Sequence, residues 1–283
     1  VKGVDMRITD TDAMEYEELP VSPRGMYTSR KLLREAEVLP GVGIYALVVK
    51  FHDGDRIFTA PRHSHNFEQI RVVLSGHMDF GPGTDCAAGQ VAYFPAGAHY
   101  GPERIEGGEQ LLLQWGPDWV THAQNQRAMR ALEQTGTFEH GKYTFTDQNG
   151  AERTVDGSQA VWEWTYGRPQ VLVTPRYAVP IKMSPDAFEW VTGQGISTKM
   201  MGRFTENDVV FEMIRWDGVG IAHGLGAERT SLLFVLHGSV SVAGASYGRH
   251  TAIWSDFGET LDVTGEPGTE LIAIGFPLRR PAV

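Results

Sequence analysis

Short apolar runs bounded by turn residues recur along this chain. QIRVVLSG (69–76), GQVAYFP (89–95) and LLLQWG (111–116) stand in the first half; MIRWDGVGI (213–221), SLLFVLHG (231–238) and LIAIGF (271–276) stand in the second. Runs this short, rich in β-branched and aromatic residues and closed by Gly or Pro, predict strands. The two sets also match in order. ITDTDAMEYEEL (8–19) reads like IKMSPDAFEWV (181–191), SRKLL (29–33) like STKMM (197–201), VVKFHDGDRI (48–57) like MIRWDGVGI, QIRVVLSG like SLLFVLHG, and LLLQWG like LIAIGF. Chance apolar similarity does not keep its order along a whole chain, so the pattern predicts an internal duplication. Each half is expected to be one barrel, preceded by a lead-in strand and a short helix capped by Thr11 or Ser184.

Between the halves the pattern changes. WVTHAQNQRAMRALEQTG (119–136) predicts a helix stopped by Gly136. Asn149-Gly150, flanked by strand-like runs, predicts a hairpin, and SQAVWEWTYG (158–167) a second short helix. The expected organisation is a first barrel over residues 1–116, an insert over 117–177 and a second barrel over 178–283. The insert is rich in Trp and Tyr, which suits a segment packed across the first barrel or between barrels rather than a linker.

Composition narrows the class. Of 283 residues, 41% are hydrophobic, enough for real cores, and 33 Gly with 15 Pro suit a turn-rich β protein. A net charge of −10 argues against nucleic acid and against an anionic membrane surface as partners. No apolar run approaches the ~20 residues of a membrane span. The N-terminal VKGVDMRITD carries no apolar signal core, and the lone Cys86 allows no internal disulfide, so a soluble, cytoplasmic protein is expected.

The chemistry concentrates in RHSHNFEQIRVVLSG (62–76) and GQVAYFPAGAH (89–99). His63 and His65, at i and i+2 on an extended segment, point the same way. His99, brought in from a neighbouring strand, would complete an imidazole set suited to a divalent transition metal. Gln69 is the fourth candidate ligand, with Glu68 the alternative if the register shifts by one. Arg71, two residues beyond Gln69, is expected to project inward and clamp a substrate carboxylate. Tyr93 and Tyr100 flank the second segment and are candidate proton carriers. The other histidines, His122 among them, have no ligand spacing and read as solvent-facing or structural. Cys86 reads as an ordinary small residue.

Together the two segments resemble the paired signature motifs of the cupin superfamily, in the spacing of Gln69 to Gly76 and of Gly89 to Pro95. Two departures stand out. Gln69 occupies a position where Glu is usual, and only Ala98 separates Gly97 from His99, where two residues are usual. The resemblance implies a mainly all-β fold, a tandem duplication of a double-stranded β-helix (jelly-roll, cupin) barrel with a partly helical insert. It implies one divalent metal (Fe, Mn, Ni or Zn) held by His63, His65, Gln69 and His99. Opposite these ligands the second half carries Leu225, Ala227, Ser231 and Gly258, so its barrel is expected to be degenerate and metal-free. The expected activity is that of a metal-dependent dioxygenase acting on a small enolic, phenolic or carboxylate substrate, with O2 as co-substrate. A redox-neutral lyase or isomerase and a non-catalytic binding or sensing protein are the alternatives. A homodimer is the default assembly for such barrels.

Overall fold

The computed structural model describes residues 7–18, 28–39, 41–117, 119–204, 208–225 and 228–276. The chain forms two compact units. One holds residues 16–37 and 41–183; the other holds the N-terminal residues up to Glu15, residues 38–40 and the chain from Ser184 onward.

Among the described residues of the first unit, seven strands make one antiparallel sheet. Their order is Ile181–Met183, Val91–Phe94, Glu68–Ser75, Glu109–Pro117, Val42–Lys50, Ser29–Leu39, Glu17–Glu18. A second sheet, Phe58–Ala60, Glu103–Ile105, His77–Asp79, Asp85–Ala87, faces it. The two share a core in which Leu47, Val49, Val73 and Phe94 meet Met78, Phe80 and Ile105. The other unit repeats the order: Arg7–Asp10, Thr251–Ser255, Ser231–His237, Glu270–Gly275, Val209–Trp216, Ile196–Phe204, Val191–Thr192. Its facing sheet is Ile221–Leu225, Leu261–Gly265, Val240–Val242, Ala245–Tyr247. The same strand order twice is the duplication in structural form: two jelly-roll barrels.

Three expectations are corrected. First, the linear boundaries at 116 and 178 do not describe the units. The lead-in strand of each half pairs with the sheet of the other half: Arg7–Asp10 adds to Thr251–Ser255, and Ile181–Met183 to Val91–Phe94. Residues 117–177 fall in the same unit as the first barrel. Second, the short lead-in helices do not form as such. The Thr11 hydroxyl donates to the His250 carbonyl (2.7 Å) rather than capping a helix, and residues 12–14 are a turn. Ser184 makes no capping bond, and only a 3₁₀ turn, Pro185–Ala187, follows it. Third, the last strands match with a one-residue offset from the sequence pairing. Arg71 faces Leu112, and its counterpart Leu233 faces Ala273, so Leu112 corresponds to Ala273 and not to Ile272. In a strand, one residue exchanges the two faces.

The insert follows its local signals except at Gly136, which does not stop the first helix but opens the strand Gly136–Glu139 beyond it. Helix α1 (His122–Leu132) starts with a capping box between Thr121 and Gln124. The strands Lys142–Thr146 and Glu152–Asp156 form the expected hairpin. Helix α2 (Gly157–Tyr166) is capped by the Asp156 carboxylate, which accepts from the amides of Ser158 and Gln159; it ends at Gly167 with φ +63°. Ala128 and Met129 of α1 pack against Val161 of α2. Among the described residues no helix is long and apolar enough to cross a membrane.

Candidate active site

The site lies inside the first barrel, on the face of the large sheet where polar residues replace apolar ones. Pairing aligns Phe94, Gln69, Gln114 and Tyr45 across four strands, and aligns Ala92, Arg71, Leu112 and Leu47 in the next row. Odd positions of strand Glu68–Ser75 therefore look into the barrel. Glu68 and Tyr93, although buried, lie on the opposite face, where Tyr93 stacks at 6.5 Å on Trp115. Alternation alone thus decides for Gln69 over Glu68 and removes Tyr93 from the site.

The segment 63–65 is extended and bridges to 97–100. His63 and Tyr100 exchange both backbone hydrogen bonds at 3.0 Å, and the Gly97 amide donates to the His65 carbonyl at 2.6 Å. Gly97 adopts φ +77°, and a Cβ there would run into the Val173 carbonyl, so only glycine makes this turn. The turn sets which residue enters the barrel. His99 is exposed and the next side chain, Tyr100, is buried. The structure thus brings Tyr100, and not the expected His99, to the inside of the barrel: neighbouring residues of an extended segment face opposite ways. The two-residue spacing usual in the resembling family points to position 100, so the signal was present in the motif itself.

Tyr100 is the hub of the polar base. Its hydroxyl oxygen lies 3.0 Å from His65 Nε2, 2.8 Å from Gln69 Nε2 and 3.1 Å from Arg71 Nη2. Gln69 and Arg71 are donors, so the oxygen accepts twice, and its single proton is left to His65. His63 donates from Nδ1 to the Pro61 carbonyl at 2.6 Å, which turns Nε2 toward the Glu103 carboxylate, 3.7 Å away. Arg71 points inward as expected, but its fork is already engaged: Nη1 on Glu103 at 2.6 Å, Nε on Gln69 Oε1 at 3.3 Å and Nη2 on Gln69 and Tyr100. The guanidinium lies over the rings of Phe94 and Phe80 at 4.5 and 4.8 Å. Burial, the largest single influence, would release its proton, but Glu103 and Tyr100 together outweigh it and hold Arg71 charged.

These residues do not fit a divalent metal. The third imidazole is replaced by a phenol hydrogen-bonded on all sides. The Gln69 carbonyl oxygen already accepts from Arg71 and from Gln114 Nε2 (3.0 Å). A permanent guanidinium charge touches both oxygens, and a dication there would be repelled by it. Among the described residues no three His, Cys, Asp or Glu side chains converge to hold a metal ion.

Above this base opens a cavity of about 310 Å³. Leu47, Val49 and Leu112 form one wall, and Phe67 and Trp119 another. The insert supplies further lining, including His122 and Gln126 of α1 and Gln159 and Trp162 of α2. His122, read from sequence as solvent-facing or structural, therefore belongs to the cavity. Burial, with the charge of Arg30, lowers its pKa. Arg30, Tyr45, Glu103, Trp119 and His122 were missed because no motif contains them; only the strand pairing and the folding of the insert bring them together.

The fold is one seen in many solved structures, among them three remote in sequence. A protein of Nostoc punctiforme described as a putative dioxygenase matches with a TM-score of 0.61 at 13% identity, covering 99% of this chain and 86% of its own. The enzyme HEPD of Streptomyces albus, with 2-hydroxyethylphosphonate and Fe(II) bound, matches at 0.56 and 11%, covering 98% and 77%. A mutant oxalate decarboxylase of Bacillus subtilis matches at 0.53 and 14%, covering 98% and 78%. No family model and no curated protein matches the chain. At these identities the likeness shows the bicupin fold, and structural neighbours on that fold include dioxygenases and decarboxylases.

Proposed function

We propose that the first barrel is the active centre of a small-molecule enzyme that works by proton transfer on a flat phenolic or enolic substrate, without a resident metal. The observation that carries this reading is the Tyr100 hydroxyl, placed under the cavity with two N–H donors and one imidazole on the same oxygen. Gln69 and the Arg71 guanidinium stabilise negative charge on that oxygen, and His65 Nε2 takes its proton. The pair is then a base for a substrate O–H or an activated C–H, and returns the proton at a second position. The ion pair between Arg71 and Glu103 leaves the base of the cavity without net charge. That favours an uncharged or singly charged ligand over one anchored by carboxylates. This is the redox-neutral alternative of the sequence, with the metal replaced by a buried cation and a phenol. The dioxygenase reading rested on a metal set that included His99, and the structural neighbours with that activity are too remote to carry it here.

Hydrogen exchange tests the reading. Chelator-treated protein in D2O, with phenolic and enolisable ketone probes, is expected to speed deuterium incorporation, followed by NMR. Tyr100→Phe should lower that rate by ~10²–10⁴-fold, the usual share of a positioned proton carrier. Oxygen uptake after loading with Fe(II) or Mn(II) would instead favour the dioxygenase. Tight binding without exchange would favour a binding protein.

A further inference from the structure

The base of the cavity is one polar pole; its mouth holds another. Arg30 is 3% exposed and lines the cavity. Its Nε and Nη2 both donate to the exposed carboxylate of Glu17, at 3.3 and 3.2 Å. Nη1 turns the other way, donating to the Tyr45 hydroxyl and lying 3.5 Å from His122 Nδ1. These contacts fix the proton positions of both neighbours. A Tyr45 oxygen that accepts from Arg30 keeps its own O–H to donate, and a His122 that accepts at Nδ1 carries its proton at Nε2. Burial raises the Tyr45 pKa to about 12 and lowers that of His122, so both are neutral donors at neutral pH. The Glu17 carboxylate, and that of Glu35 on the His122 amide at 2.9 Å, offset the charge of Arg30. The mouth therefore suits an uncharged oxygen rather than a second carboxylate.

An aromatic wall joins the poles. His65 stacks on Phe67 at 4.2 Å, Phe67 meets Trp119 edge-on at 5.3 Å, and Trp119 lies 5.4 Å from Tyr45. All four line the cavity, with Leu47 and Leu112 among its aliphatic residues. The Tyr45 and Gln69 backbones are two strands apart, about 9.5 Å across the sheet.

We propose that the cavity takes a planar, largely uncharged molecule with an oxygen at each end, one received at the polar base around Tyr100 and the other by Tyr45 and His122. The insert, through Trp119 and His122, thereby sets specificity at the end remote from proton transfer. The inference rests on the same cavity as the proton-transfer reading but not on its chemistry.

Two probes test it: 2,6-dihydroxynaphthalene, with an oxygen at each end, and 2-naphthol, with one. Binding is read by calorimetry and by quenching of tryptophan fluorescence. The diol should bind at least tenfold more tightly than the mono-ol. Tyr45→Phe, which keeps the ring against Trp119, should bring the two within about twofold by weakening the diol alone; His122→Phe should do the same in part. Equal affinity of the two probes for the wild-type protein, equal weakening of both by Tyr45→Phe, or failure of both to bind would overturn the proposal. Diol selectivity without any deuterium exchange would leave this proposal standing and remove the proton-transfer reading.

Discussion

The two barrels share one strand order and differ in what fills them. Counting along the paired strands, Arg71 of the first corresponds to Leu233 of the second, Glu103 to Val263, Gln110 to Leu271 and Phe51 to Trp216. In the second barrel the apolar replacements, with Val235, Val240 and Ile253, make a closed core. Trp216 is fully buried, and a Cβ on Gly265 would meet its ring at 2.6 Å. The fold therefore needs neither the polar base nor the cavity. Burying an arginine, a glutamate and a glutamine in the first barrel adds a cost that the fold does not require, which supports the ligand role proposed above.

The comparison breaks most sharply at the buried pair. Arg71→Leu copies the second barrel at one position only and strands the Glu103 carboxylate; the expected loss is ~3–5 kcal/mol in chemical denaturation. Adding Glu103→Val, which copies the second barrel at both positions, should recover most of it. An Arg71→Leu protein as stable as wild type would show that the pair is not what organises the base.

Next in size is the cavity itself. Phe51→Trp copies Trp216 and grows into the space that Phe51 lines. Filling a void costs less than overpacking a closed core, so the stability change should stay below ~1.5 kcal/mol. Binding of flat probes should fall at least tenfold, because the added ring takes their volume. Unchanged probe affinity would place the ligand elsewhere.

Much of this architecture is legible in the sequence, for reasons that also explain the misses. The duplication shows because apolar runs of strand length recur in one order. The insert shows because the runs that become α1 and α2 and the Asn149-Gly150 turn are local chemistry. His63, His65, Gln69 and Arg71 could be placed together because i, i+2 spacing on a strand fixes a face. The lead-in exchange was hidden, since strand partners 88 to 92 residues apart in one case and 241 to 247 in the other leave no local trace. The last-strand match went astray because both faces of these central strands are buried. LIAIGF reads as a continuous apolar run and LLLQWG breaks only at Gln114, so the period of two that would fix the register is nearly erased. Residue type points to His99, and only the two-residue spacing points to position 100.

The smallest expected effect lies at the one carboxylate on the inward face of strand Val209–Trp216, Glu212, which faces Ala273 where Leu47 faces Leu112. Burial raises its pKa above the usual 4.5, against an opposing pull from Arg229. A carboxyl raised on folding favours the protonated fold. Its contribution is complete below the unfolded value and is lost as pH rises through the folded one. Glu212→Gln fixes the protonated shape, so the variant should equal wild type in acid and exceed it at neutral pH. The gain should be about 0.5 kcal/mol, small because water still reaches a half-buried site. Leu47→Gln, the matching change in the first barrel, introduces no titrating group, and its cost should not vary with pH between 4 and 8. Thermal melts of both variants across that range make the comparison. A Glu212→Gln gain of constant size at every pH would mean that packing, and not ionisation, distinguishes the two positions.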